Sequence, residues 1–141
     1  MIKFLSKAET LNSLKEFSLS ANIPEFVIIN VDEWRLKREL LISQIKKIFY
    51  NQKIIVRSSC VNEDNFQSSN AGAYKSLLNI NPDQVESAIN EVIASYKNKS
   101  EKDQVLVQSM LQNVFCSGVA FSHDPNTCSP YRVYNYSLGK D

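Results

Sequence analysis

Neither sign of charge is in excess in this chain: 16 Lys and Arg stand against 15 Asp and Glu over 141 residues, a formal net charge of +1. That balance removes the usual electrostatic case for a nucleic-acid or anionic-membrane partner, so any positive charge that matters must act locally. Cysteine is scarce as well. Cys60, Cys116 and Cys128 are odd in number and lack the close pairing of zinc knuckles or C-x-x-C redox motifs. Reduced thiols in the cytoplasm, sitting as small semi-buried side chains, are the expectation. No apolar run approaches the roughly 20 residues of a membrane span. The opening Met-Ile-Lys-Phe-Leu-Ser-Lys is interrupted by Lys7 and Glu9 before it reaches the length of a signal peptide. Internal repeats, low-complexity segments and a clear domain linker are all missing. What is there is a chain 43% hydrophobic, long enough to bury one core, which predicts one domain or a fragment of one.

The most informative stretch runs from Lys53 to Ile80. Ile54, Ile55 and Val56 form a β-branched run that ends at Arg57, and a Ser-, Asn- and acid-rich segment then leads to the small-residue turn Ser69-Asn70-Ala71-Gly72 before the next strand. A strand holds its terminal side chain more firmly than a loop does, and a guanidinium meets two phosphate oxygens with one fixed fork of donors. Gly72 has no Cβ to keep the backbone away from an anion. Together these features predict a polyphosphate grip.

The rest of the chain alternates helix and strand. Ser6-Lys7-Ala8-Glu9 has the form of a capping box, followed by a helical stripe of Ala8, Leu11 and Leu14 that Phe17 extends. Pro24 breaks that pattern, and Phe26 to Ile29 suits a buried strand. Asp32 is read as the cap of a longer helix with Trp34, Leu41, Ile45 and Ile48 on its buried face. The basic residues of this helix, Arg35, Lys37, Arg38, Lys46 and Lys47, read either as a solvated face or as a nucleic-acid surface, and Glu33 and Glu39 favour the former. Tyr74 to Ile80 reads as a strand, and Asn81-Pro82-Asp83-Gln84 opens a helix buried through Val85, Ala88, Ile89, Val92, Ile93 and Tyr96. A strand begins at Val105. A hairpin follows, with strands at Gly118–Phe121 and Arg132–Tyr136 and type I turn chemistry at Asp124-Pro125-Asn126-Thr127.

Taken in order, V-R-S-S-x-x-x-E-D, S-x-A-G, L-V-Q-x-M and S-G-V-A-F-x-x-D-P resemble the N-terminal nucleotide-binding region of the phosphoenolpyruvate synthase and pyruvate phosphate dikinase family. The resemblance covers nearly the whole chain and implies an α+β, ATP-grasp-like fold, mostly antiparallel sheet flanked by helices. It implies an incomplete one: 1–104 as the first lobe, 105–141 as the hinge and the start of the second. Severing a second sheet exposes an edge, a route to homodimerisation.

The same resemblance implies jobs for particular residues. Arg57 would pair with the β- and γ-phosphates of ATP; its competing reading is an ion pair with Glu63 or Asp64. Lys7, at a helix N-terminus, would add a second charge to the phosphates, against the reading of a solvated lysine. Ser69, Asn70, Ala71 and Gly72 would form a flap over the triphosphate, or else an ordinary turn. Gln108, Met110 and Leu111 would hold the adenine, or else belong to a buried strand with a core methionine. His123, the sole histidine, reads as a surface residue. The implied cofactors are ATP and Mg2+, the metal ligands being expected outside this chain, although Glu63 and Asp64 are weighed as metal contacts. The complete enzyme would phosphorylate a histidine on a separate swivelling domain and then a small acceptor such as pyruvate or glutamine, leaving AMP and phosphate. The isolated chain is expected to be inactive. A non-catalytic module that binds nucleotide or a protein partner is the alternative.

Overall fold

Backbone hydrogen bonds along the chain join strands that are far apart in sequence. The computed structural model describes residues 6–15, 17, 20–60, 64–65, 68–69, 75–96, 100 and 103–139. The chain divides into two units, Met1–Met110 and Leu111–Asp141. In the first, α1 (Lys7–Lys15), β1 (Phe26–Asn30), α2 (Val31–Ile48) and β2 (Ile54–Ser59) are followed by two very short strands, β3 (Asp64–Asn65) and β4 (Ser68–Ser69). Then come β5 (Ser76–Ile80), a 3-10 turn at Pro82–Gln84, α3 (Val85–Ala94) and β6 (Gln104–Ser109). The four-stranded sheet has the order β1-β6-β2-β5, antiparallel throughout. These helices and antiparallel sheets make the α+β, partial ATP-grasp-like architecture expected from the sequence.

Strand β6 lies at the centre, and its run Val105-Leu106-Val107 is buried on both faces. This is why it reads as continuously apolar rather than alternating. On one face, Ile29, Ile54, Val56, Val105 and Val107 pack under α2 and α3, which contribute Trp34, Leu41, Ile45, Ile89 and Val92. On the other face, Phe26 and Leu106 meet Ala8 of α1. An expected boundary after residue 104 would fall at the start of β6, whereas the two units divide between Met110 and Leu111.

The N-terminal capping box forms as read: Glu9 N–H donates to Ser6 Oγ at 3.2 Å, and Ser6 N–H donates to Glu9 Oε2 at 3.1 Å. Helix α1 ends at Lys15, however, and Phe17 lies beyond it, 51% exposed, so it does not extend the buried stripe. Asp32 is not the cap of α2. The helix begins at Val31, putting Asn30 in the capping position, and the Asn30 side chain makes no capping bond because it accepts from Gln104 Nε2 at 3.1 Å. Val31 N–H is satisfied instead by the Asp103 carbonyl at 3.1 Å. A kink at Lys37 resets the helix, after which the buried stripe runs Leu41, Ile45, Phe49. Ile48, expected inside, therefore falls off the stripe and is 43% exposed.

The basic residues of α2 are largely answered by acids. Arg35 meets Asp32 at 3.4 Å, Lys37 meets Glu33 at 3.7 Å, Arg38 meets Glu86 at 3.4 Å and Lys46 meets Asp83 at 2.9 Å. Exposed pairs of this kind add little stability. They do remove the uniform positive field that a nucleic-acid surface needs. The start of α3 follows the sequence closely, with the Asn81 side chain accepting from Asp83 N–H at 3.3 Å and Pro82 opening the first turn.

The second unit is a hairpin of β7 (Cys116–Phe121) and β8 (Val133–Leu138) in register from Cys116↔Leu138 to Phe121↔Val133. Cys116 and Cys128 are exposed and Cys60 is buried, a departure from three semi-buried thiols; none of the three is in a disulfide. In the connecting turn, Asp124 accepts from Thr127 N–H at 2.8 Å, Asn126 N–H at 2.9 Å and the Thr127 hydroxyl at 3.0 Å. These donors, the Thr127 amide foremost, hold its carboxyl below the usual aspartate range. Because the folded value is depressed, the turn's contribution is fully present above the unfolded value of about 3.9 and is lost as pH falls through the folded one. The amide protons of Asn126 and Thr127, which donate to this carboxylate, are expected to show an acid transition only below about 4. Asp124→Ala should abolish that acid transition; an acid transition that survives Asp124→Ala would contradict the assignment.

Candidate functional site

Alternation along β2 sends Ile54, Val56 and Ser58 toward the α2–α3 side and Ile55, Arg57 and Ser59 toward the face that carries α1. Arg57 sits directly opposite Leu106 on β6 and Ser76 on β5. It is half-buried. Among the described residues, no carboxylate lies within ion-pair reach of its guanidinium. The alternative partners named from sequence are Glu63, which lies outside the described residues, and Asp64, of which only the backbone is described, in β3.

Helix α1 starts beside this strand. Ala8 N–H donates to the Ser59 hydroxyl at 3.0 Å, and Ser6 Oγ donates to Gln104 Oε1 at 2.9 Å. Lys7 is thus on the helix turn that is tied to the same sheet face as Arg57. The amides of this helix start are themselves engaged within the fold. The N–H groups of Ala8 and Glu9 are already taken by Ser59 and Ser6, and the Glu9 carboxylate folds back over the cap. A first turn whose amides are satisfied and whose dipole already faces a carboxylate has little left for a second anion. Any anion recognition here falls to side chains.

Gln108 lies on the same face, opposite Phe26 and Ile55. In the ladder it is diagonal to Arg57, a relation that puts side chains roughly 7–8 Å apart. It is only 8% exposed, and its side-chain amide has no hydrogen-bond partner among the described residues. An amide desolvated without a partner costs about 1–3 kcal/mol. Met110 follows β6, half-buried, with its N–H committed to the Lys53 carbonyl at 2.8 Å. Leu111 opens the second unit and is 61% exposed.

Ser69 belongs to β4, whose backbone pairs with β3 as Asp64↔Ser69 and Asn65↔Ser68, a miniature ladder not anticipated from the sequence. Asn70, Ala71 and Gly72, the rest of the expected flap, lie outside the described residues. His123 is exposed beside the turn, its Nδ1 at 3.1 Å from Ser122 Oγ. Among the described residues no three His, Cys, Asp or Glu side chains converge. No helix among them is long and apolar enough to cross a membrane.

Sequence reasoning missed the polar residues that seat α1. Ser59, Gln104 and Asn30 occupy facing positions on β2, β6 and β1, on the α1 face. The available signal was the strand alternation itself, which puts Ser59 on the side of Arg57 two residues earlier.

An antiparallel sheet with helices on both faces, opening on a half-buried arginine and an unpartnered buried amide, belongs to the class of ATP-grasp-like nucleotide-binding domains. The chain matches the family model of the pyruvate phosphate dikinase AMP/ATP-binding domain over residues 6–141 and belongs to that family, the N-terminal ATP-binding domain of the phosphoenolpyruvate synthase and pyruvate phosphate dikinase enzymes. It is thus an AMP/ATP-binding module of a dikinase family. No curated protein matches the chain.

Proposed function

We propose that this chain supplies the ATP grip of a dikinase-type phosphotransferase, with Arg57 and Lys7 meeting the β- and γ-phosphates and Gln108 and Met110 lying toward the adenine. The observation that carries this reading is Arg57 itself: half-buried, without a carboxylate partner among the described residues, and on one sheet face with the α1 N-terminal turn and the Gln108 amide. A guanidinium so held is preorganised for a bidentate phosphate, while Lys7 acts as a movable point charge. Ser69, Asn70, Ala71 and Gly72 are proposed as the flap over the triphosphate, on the strength of the S-x-A-G motif. The lobe boundary is proposed at the end of β6, and cytoplasmic residence accords with three cysteines outside any disulfide.

Phosphoryl transfer rests on positioning and on neutralising charge with magnesium. We infer that the Mg2+ ligands, the swivelling histidine and the acceptor site belong to other parts of the enzyme. The acceptor is a small molecule of the pyruvate or glutamine kind, and AMP and phosphate are the products. The chain alone is expected to bind ATP without turning it over.

Calorimetric titration with ATP tests the proposal. A dissociation constant in the high-micromolar range or weaker is expected, since a partial pocket leaves polar groups imperfectly paired. Absence of any heat or of any NMR perturbation on β2 at millimolar ATP would overturn it.

A further inference from the structure

The residues that seat α1 are polar and form one row across the sheet. Ser59 on β2 faces Gln104 on β6, and Gln104 faces Asn30 on β1, so the row spans three adjacent strands at a single level of the ladder. Each member is bonded. Gln104 Nε2 donates to Asn30 Oδ1 at 3.1 Å while Gln104 Oε1 accepts from Ser6 Oγ at 2.9 Å, which leaves its amide no freedom to flip. Ser59 accepts from Ala8 N–H at 3.0 Å, and both Ser59 and Ala8 are fully buried. In such dry surroundings a hydrogen bond is stronger than in water, and losing one partner leaves the other stranded.

We propose that this Ser59–Gln104–Asn30 row is a positioning element that fixes the Lys7 turn of α1 against the strand bearing Arg57, and so sets the spacing of the two cations on a polyphosphate. The inference rests on the phosphate-grip reading given above. Its physical ground is distance. Ser59 is two residues along β2 from Arg57 on the same face, a separation of about 6.6 Å, and Lys7 is the neighbour of the residue that Ser59 holds. Two cations share one polyphosphate best at a fixed separation, and a displacement of about 1 Å is enough to forfeit much of a positioned interaction. None of the three residues is assigned contact with nucleotide. They act through α1.

A double-mutant cycle read with ATP and with inorganic tripolyphosphate tests this. Ser59→Ala should raise the dissociation constant for both probes roughly fivefold in the wild-type background and leave it unchanged once Lys7→Ala has removed the cation that the row positions. Gln104→Met should act in the same direction. An equal factor in both backgrounds, or no change at all, overturns the proposal, because a merely structural role is blind to Lys7. Unfolding of both Ser59→Ala and Gln104→Met would assign the row to stability alone and overturn it too. The underlying reading fails separately: if Arg57→Ala leaves tripolyphosphate and ATP affinity intact, the phosphate grip is wrong whatever Ser59 does.

Discussion

Replacement of Arg57 by alanine is expected to weaken ATP binding by roughly 10- to 100-fold, the equivalent of one hydrogen bond to a charged group at about 1.5–3 kcal/mol. The lower end is the better expectation, because Arg57 is half-buried and water screens part of the interaction. Its effect on folding should be small, within about 0.5 kcal/mol, since no described residue relies on the guanidinium for an ion pair. Arg57→Lys should recover charge but not the bidentate fork, giving intermediate affinity. NMR titration suits the weak range, with urea unfolding of the same variants as the stability control. Loss of stability with unchanged affinity would turn Arg57 into an architectural residue.

The largest effect on folding is expected at Trp34. Its ring is 1% exposed in the core beneath the sheet, its indole N–H donates to Asn90 Oδ1 at 2.9 Å, and the Arg38 guanidinium lies 5.8 Å from the ring centroid. Trp34→Ala removes the packing of a large aromatic together with its hydrogen bond to the exposed Asn90, costing about 3–5 kcal/mol, most of it packing. Domains of this size have roughly 5–15 kcal/mol in total, so most of the stability is at stake. Trp34→Phe keeps much of the volume and loses the hydrogen bond, and should cost clearly less. Urea titrations with matched m-values decide between these outcomes. A Trp34→Ala midpoint within about 1 kcal/mol of wild type would show that α2 is not anchored as described.

Elements with strong local chemistry were readable from the sequence. The capping box at Ser6–Glu9, the Asn81–Pro82 helix start, the β-branched strand before Arg57 and the apolar run at Val105 each form where local physics puts them. What tertiary contacts decide was not legible. Asn30 looks like a helix cap in isolation, and only the arrival of Gln104, 74 residues later, draws its side chain away. Phe49 displaces Ile48 from the core because of the kink at Lys37, which no propensity marks. At the candidate site, motif singled out Arg57 and Gln108, and the sheet register sets both on the face that carries α1, the helix of Lys7. The row beneath α1 escaped notice because serine and glutamine near strand ends carry no distinctive local signal.

The order β1-β6-β2-β5 has a bearing on how the chain is born. During synthesis, β1 and β2 emerge early but have no ladder between them, for the strand that joins them is β6, the last of the first unit. Until residue 109 has left the ribosome, β1 is without its only partner in that sheet. Closing so long a loop delays the non-local pairings that reward it. At about 5–20 residues per second, the nascent lobe spends several seconds with β1 unmatched and one edge of β2 open, β5 covering the other, a window in which a chaperone has something to hold.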